Sequence, residues 1–204
     1  MRELEKDEYR TIKSESRGLY KEKGSKFIAV AVPVKNLDEV RETLESLRKE
    51  FHDARHHCYA YRLGPEPYEY RQNDDGEPSG SAGKPIYGQI QSFELTDILI
   101  VVIRYFGGVK LGVGGLINAY RTASRDALEH ARIIIKTRMS EMQIDFNYEQ
   151  MNTVMRLIKE ENLEISGQDF GLKCSISVKI RQKDRERVAE RLNSFENIRA
   201  YLKN

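Results

Sequence analysis

Asp97-Ile-Leu-Ile-Val-Val-Ile-Arg-Tyr-Phe-Gly-Gly-Val-Lys-Leu-Gly-Val-Gly-Gly-Leu116 changes character twice within one stretch of chain. Ile98 to Ile103 is apolar at every position rather than at every second one. A strand reads that way when both of its faces are covered, so this is a central strand of a sheet with layers on either side. Five glycines follow between Tyr105 and Leu116, and Leu116, Tyr120, Ala123 and Ala127 then share one face of a helix. A strand, a glycine-rich turn and a helix in this order bring free backbone N–H groups and a partial positive charge to the turn.

Outward from this point the first half mixes strands and helices. Lys26 to Val34 is rich in β-branched residues and is closed by Pro33, as at a strand end. Leu37, Val40, Leu44, Leu47 and Phe51 recur at helical steps. His57 to Leu63 returns to strand character. Residues 64–85 hold Gly64, Pro65, Pro67, Asn73, Asp74, Asp75, Gly76, Pro78, Gly80, Gly83 and Pro85, which predicts a long, turn-rich loop. Beyond residue 134 the pattern becomes regular. Met142, Ile144 and Phe146 alternate with polar residues, as do Cys174, Ile176, Val178 and Ile180. Met151 to Ile158 and Val188 to Phe195 have helical spacing, and short strands are expected around Ile165 and at Ile198 to Leu202. The order β-α-β-β-α-β is the ferredoxin-like arrangement. The chain is therefore read as α+β with two domains, 1–134 and 135–204.

Composition narrows the function. Thirty-four Lys+Arg stand against thirty-two Asp+Glu, a net charge of +2, which excludes binding to nucleic acid by bulk charge alone. The apolar run at Ile98 is far short of the ~20 residues a membrane span needs, and residues 1–20 lack the apolar centre of a secretory signal. Cys58 and Cys174 form no CxxC pair, which argues against a disulfide framework or structural zinc. A cytoplasmic globular protein is expected.

Three segments could carry chemistry. In the first, Arg104 and Lys110 flank Gly107, Gly108, Gly112, Gly114 and Gly115, with Arg121 and Arg125 one turn apart on the helix beyond. The set suits phosphate, although neither a Walker loop nor a dinucleotide-binding fingerprint is spelled out, and a purely structural turn has the same glycines. In the second, Asp74, Asp75 and Glu77 lie within four residues, followed by Ser81, Lys84 and Pro85. A divalent cation or a helix start would each use such a run, and the helix start is favoured, at Ser79 or Ser81. In the third, His52, Asp53, His56, His57 and Cys58 are the only potential ligand cluster, but no second cluster completes a zinc site. His57 and Cys58 point to opposite faces of a strand and so cannot act as a nucleophile–base pair. In the C-terminal domain Lys173, Ser175, Ser177, Lys179 and Arg181 share the solvent face of one strand, with Glu141, Gln143, Asp145 and Asn147 on the predicted neighbour. Cross-strand pairing is expected there, and no exposed aromatic is expected to stack a base.

Ser25-Lys-Phe-Ile28, Asp53-Ala-Arg-His-His-Cys-Tyr-Ala60, Asp74-Asp-Gly-Glu-Pro78 with Ser81-Ala-Gly-Lys-Pro85, and Arg104-Tyr-Phe-Gly-Gly108 with Leu111-Gly-Val-Gly-Gly-Leu116 together resemble the IMPACT/YigZ family. Residues to about 130 resemble the IMPACT domain, and the remainder resembles the small C-terminal domain of the bacterial YigZ branch. The resemblance implies that the first domain is a ribosomal-protein-domain-like β/α sandwich, the fold of domain IV of elongation factor G. Eukaryotic IMPACT relatives regulate translation by competing for the activator of a starvation-responsive kinase. They use an extra N-terminal domain that has no counterpart in this sequence, so that partner is not implied here. The expectation is a non-enzymatic regulator of translation that binds ribosome, RNA or a translation factor through Arg104, Lys110, Arg121, Arg125 and the glycines. His57, Asp74, Asp75, Glu77, Ser81 and Lys84 would line the same cleft, with neither cofactor nor metal. The alternatives are an enzyme acting on a small phosphorylated substrate, with the carboxylates as base or Mg²⁺ ligands, and a protein-interaction module without a ligand.

Overall fold

The computed structural model describes residues 4–64, 67–171 and 173–203; Pro65 of the turn-rich segment lies outside them. The elements run β1 (Glu8–Ile12), β2 (Ser16–Glu22), β3 (Ser25–Pro33), α1 (Leu37–Glu50), β4 (His56–Leu63), β5 (Glu69–Asn73), α2 (Gly83–Ser92), β6 (Ile98–Tyr105) and α3 (Gly112–Glu129). The second half continues with β7 (Ile133–Thr137), β8 (Met139–Phe146), α4 (Met151–Glu160), β9 (Glu164–Phe170), β10 (Cys174–Arg181), α5 (Arg185–Asn193) and β11 (Ile198–Leu202). No helix among the described residues is long and apolar enough to cross a membrane.

In the unit Arg10–Ile135 the sheet order is β2-β3-β6-β4-β5, antiparallel at every pairing. β6 is its middle strand, as continuous apolarity requires. Ile98, Ile100 and Val102 pack with Phe27, Cys58, Ala60 and residues of α2 and α3. Leu99, Val101 and Ile103 pack on the opposite face with Val40 and Leu47 of α1. One strand thus serves two cores, and burial of its six apolar side chains contributes ~1.5–3 kcal/mol each. Asn36 starts α1 by accepting from the Glu39 N–H at 2.9 Å, while the Glu39 carboxylate accepts from the Lys35 N–H, a reciprocal cap.

The predicted loop over 64–85 holds a strand, β5. Its residues, Glu-Tyr-Arg-Gln-Asn, carry no apolar alternation because it is an edge strand, exposed over most of its length.

In the second unit β8, α4, β9, β10, α5 and β11 give the order β11-β8-β10-β9, the ferredoxin-like arrangement. Met142, Ile144, Ile176, Val178, Val154, Leu157, Val188 and Leu192 fill its core. On the other face of the sheet β8 and β10 are neighbours, with Ser177 opposite Gln143 and Lys179 opposite Glu141. Ser177 bonds Gln143, but Lys179 pairs with Glu164 on β9 instead. This face also presents an aromatic that the sequence reading missed: Tyr201 on β11, whose hydroxyl donates to Asp145.

Residues 4–9, which the sequence reading gave to the first domain, fall with this second unit. Asp7 is the reason. Its buried carboxylate accepts from Nε and Nη2 of Arg181, and its carbonyl accepts from the Arg138 N–H. Burial alone would raise the Asp7 pKa; the Arg181 bonds outweigh it and hold the carboxyl below the usual range. A depressed folded-state pKa adds stability above the unfolded value, near 3.9, and loses it as pH falls through the folded value. Asp7→Asn is therefore expected to lower the thermal midpoint of this unit at pH 7, and the gap to wild type should close on acidification below about pH 4. Calorimetry at a series of pH values checks this, and a gap that does not narrow at all as pH falls below about 4 would contradict it.

Candidate functional site

The carboxylates of the Asp74–Glu77 turn are used in building the site. Asp74 Oδ1 accepts from the N–H groups of Ala82 and Gly83 at 2.9 and 2.8 Å, and Oδ2 accepts from Gly80 at 2.8 Å. Asp74 thereby satisfies the free amides at the start of α2, the role the sequence reading gave to Ser79 or Ser81. The Ser81 hydroxyl is buried and donates to the Pro78 carbonyl. Asp75 accepts from the His57 N–H at 2.7 Å and lies 3.5 Å from Arg48, while His56 Nδ1 meets the Asp75 carbonyl.

Glu77 reaches across to β6. Its Oε1 accepts from Arg104 Nη1 at 2.6 Å and from the Tyr120 hydroxyl of α3 at 2.8 Å, and the two charged side chains are 8% and 4% exposed. Arg104 therefore does not face solvent as a phosphate contact: it is a buried partner of Glu77, with the Phe27 and Phe106 rings centred 5.5 and 5.6 Å from its guanidinium. Its Nε has no hydrogen-bond partner. Cys58 Sγ lies 3.3 Å from the Tyr120 hydroxyl and 3.0 Å from the Asp74 carbonyl. Burial pushes the Cys58 thiol up to about 12 and raises Tyr120 well above the ordinary phenol value. Both groups stay protonated at neutral pH, and neither is an activated nucleophile.

His57 and Cys58 do face opposite sides of the sheet: Cys58 belongs to the core under α2 and α3, and its strand neighbour Tyr59 to the core under α1. Burial lowers the His57 pKa, so the imidazole is neutral at pH 7. Among the described residues no group of three or more His, Cys, Asp or Glu is placed to hold a metal ion.

The glycines divide into two kinds. Gly107 packs backbone against backbone: a Cβ there would lie 1.9 Å from the Gly24 carbonyl carbon and 2.2 Å from the Ser25 nitrogen, and its N–H donates to Ser25 Oγ. Gly115 is closed off by Leu111 at 2.9 Å. Gly108, Gly112 and Gly114 are different, because a Cβ at any of them meets nothing within 4 Å. They are exposed along with Phe106, Val109, Lys110 and Val113. Here α3, 18 residues long, begins at Gly112, and its N-cap Leu111 supplies no side-chain cap. Lys110 and Lys84 are exposed and, among the described residues, make no ion pair; the same holds for Arg121 further along α3. Arg125 is exposed but paired with Glu129 at 2.7 Å.

A three-layered α+β unit with an internal Arg–Glu–Tyr cluster and an open, glycine-lined helix start, joined to a ferredoxin-like unit, defines a class of two-unit proteins. A crystal structure of a hypothetical protein has the same fold, with a TM-score of 0.72 at 26% identity over 97% of this chain and 98% of that one. Residues 23–128 match the family model of the Impact N-terminal domain. An IMPACT family member of Haemophilus influenzae is 34% identical over 173 residues, covering 83% of this chain and 84% of that protein. The IMPACT family member YigZ of Escherichia coli is 35% identical over 151 residues, 72% of this chain and 74% of YigZ. The chain belongs to the IMPACT family.

Proposed function

We propose that this protein is a non-enzymatic, cytoplasmic factor that acts on translation by binding the phosphate backbone of RNA at the start of α3. The observation that carries the reading is the uncapped helix N-terminus, exposed between glycines that no neighbouring atom crowds. Free amides, the helix dipole and Lys110 converge there on a space that a phosphate can enter. Arg121 lies nine residues beyond Gly112, ~13 Å along the helix. One phosphate cannot reach both positions, so the fitting ligand is a polyanion rather than a nucleotide. Family membership supports the connection with translation, and the two free, buried cysteines suit a reducing compartment.

The enzyme reading needs a carboxylate free to take a proton or hold Mg²⁺. Asp74, Asp75 and Glu77 are each bonded within the fold. The exposed Phe106, Val109 and Val113 favour the protein-interaction alternative, and the salt series below separates the two.

Binding to ribosomal subunits and bulk tRNA is expected to weaken steeply with salt. Removing both Lys110 and Lys84 by alanine substitution should lower the slope of log affinity against log salt by about 0.7–0.9 per lysine. Both side chains are exposed, so stability should stay within about 0.5 kcal/mol of wild type. Binding that ignores salt, or a double variant with an unchanged slope, would count against RNA and for a protein partner.

A further inference from the structure

The edge strand β5 carries an aromatic surface that the phosphate site does not use. Tyr70 stands opposite Arg62 of β4 and stacks on Tyr87 of α2, with ring centroids 4.8 Å apart and planes 22° from parallel. The Arg62 guanidinium lies 3.3 Å from the centre of the Tyr68 ring. Its Nε is buried without a hydrogen-bond partner, and among the described residues no carboxylate pairs with it. Tyr70 is 56% exposed, so one face of its ring rests on Tyr87 while much of the remainder is open to water.

A flat aromatic pair beside an arginine suits a planar ring that stacks on the tyrosines and accepts hydrogen bonds from the guanidinium. Unpaired nucleobases stack on such surfaces in a sequence-tolerant way. The position fits the same ligand as the start of α3. Arg62 pairs with Ile98 at one end of β6, and Arg104 lies six residues on, ~20 Å along the strand. The N-terminus of α2 is level with the middle of that span, because Gly83 packs on Asn73, whose partner Tyr59 pairs with Val101. Lys84 is there, three residues before Tyr87 and so on the same helix face.

We infer that Tyr70, Tyr87 and Arg62 form a stacking platform for an unpaired base of single-stranded RNA whose phosphates run past Lys84 to the start of α3. The inference rests on the RNA-binding reading and narrows it to single strands, since a base inside a duplex offers no free face.

A single-stranded RNA oligonucleotide carrying 2-aminopurine tests it, with anisotropy reporting affinity and the quenching of 2-aminopurine reporting stacking. Tyr70→Leu keeps an apolar cover over Tyr87 but removes the π face; Tyr70→Phe keeps the ring. Tyr70→Leu should weaken binding about tenfold or more, leave the salt slope unchanged and abolish quenching, whereas Tyr70→Phe should behave as wild type. Lys110→Ala should lower the slope and retain quenching. If Tyr70→Leu binds and quenches as wild type does while Lys110→Ala is impaired, the platform is wrong and the phosphate site stands. If wild type binds no RNA at low salt, both fall.

Discussion

Arg104→Ala is expected to destabilise the Arg10–Ile135 unit by about 3–5 kcal/mol, the usual consequence of removing one member of a buried ion pair. The loss comes less from the missing attraction than from what remains. Glu77, with its side chain 4% exposed, would keep its charge with only the Tyr120 hydroxyl as donor. A buried charge left without its partner carries an uncompensated desolvation penalty. Replacing both partners, as in Arg104→Met with Glu77→Leu, should recover much of the loss because no charge is left stranded. Urea denaturation of wild type and the two variants measures both effects. A deficit below about 1 kcal/mol for Arg104→Ala, or a double variant no better than the single, would show that the pair is hydrated and not structural. Loss of RNA binding in Arg104→Ala would reflect this instability, so Lys110 and Lys84 are the sounder probes of the site.

The same pair shows where the sequence was legible and where it was not. Six apolar residues from Ile98 announce a strand covered on both faces, because burial demands hydrophobicity at each position and nothing else satisfies it. The alternation from Met142 to Phe146 and from Cys174 to Ile180 announces strands with one wet face, and these form the predicted ferredoxin-like sheet. Edge strands carry no such signal: β5 is wet for most of its length, and β1 pairs with β7 from the far end of the first unit. At the site, residue types were readable but pairing was not. An arginine beside a glycine loop reads as a phosphate contact until the fold brings Glu77, 27 positions away, within 2.6 Å of it. Asp74 reads as a metal ligand or a cap until its oxygens are found on three amides. Tyr70 lies in a segment dominated by turn residues and Tyr87 in the helix beyond it, and only the pairing of β4 with β5 shows that their rings stack.

Gly107→Ala is the second substitution with a large expected effect, and it separates two reasons for glycine within one turn. At Gly107 a methyl group would sit 1.9 Å from the Gly24 carbonyl carbon, 2.2 Å from the Ser25 nitrogen and 2.3 Å from the Gly24 oxygen. All three are backbone atoms, so no side chain can rotate away. Lys23 and Gly24 form the β2–β3 turn at φ +45° and +76°, a conformation that holds the turn in place against the loop. Relief requires the turn and the loop to move apart, which breaks the Gly107 N–H bond to Ser25 and pulls β3 from β6 where Lys26 pairs with Tyr105. Overpacking of this kind costs about 1–3 kcal/mol, and the rigid neighbours here place the expectation at the upper end. Gly108→Ala provides the contrast. Gly108 has φ +87° with open space around it, so alanine there meets only backbone strain, about 1 kcal/mol. Thermal denaturation should rank Gly107→Ala well below Gly108→Ala. Hydrogen exchange should show faster opening at Ser25 and Lys26 in the first variant alone, because only there does the added methyl act on the neighbouring hairpin. Equal losses in the two variants, or wild-type protection of Ser25 and Lys26 in Gly107→Ala, would mean that the hairpin yields freely and that the loop is not anchored to it.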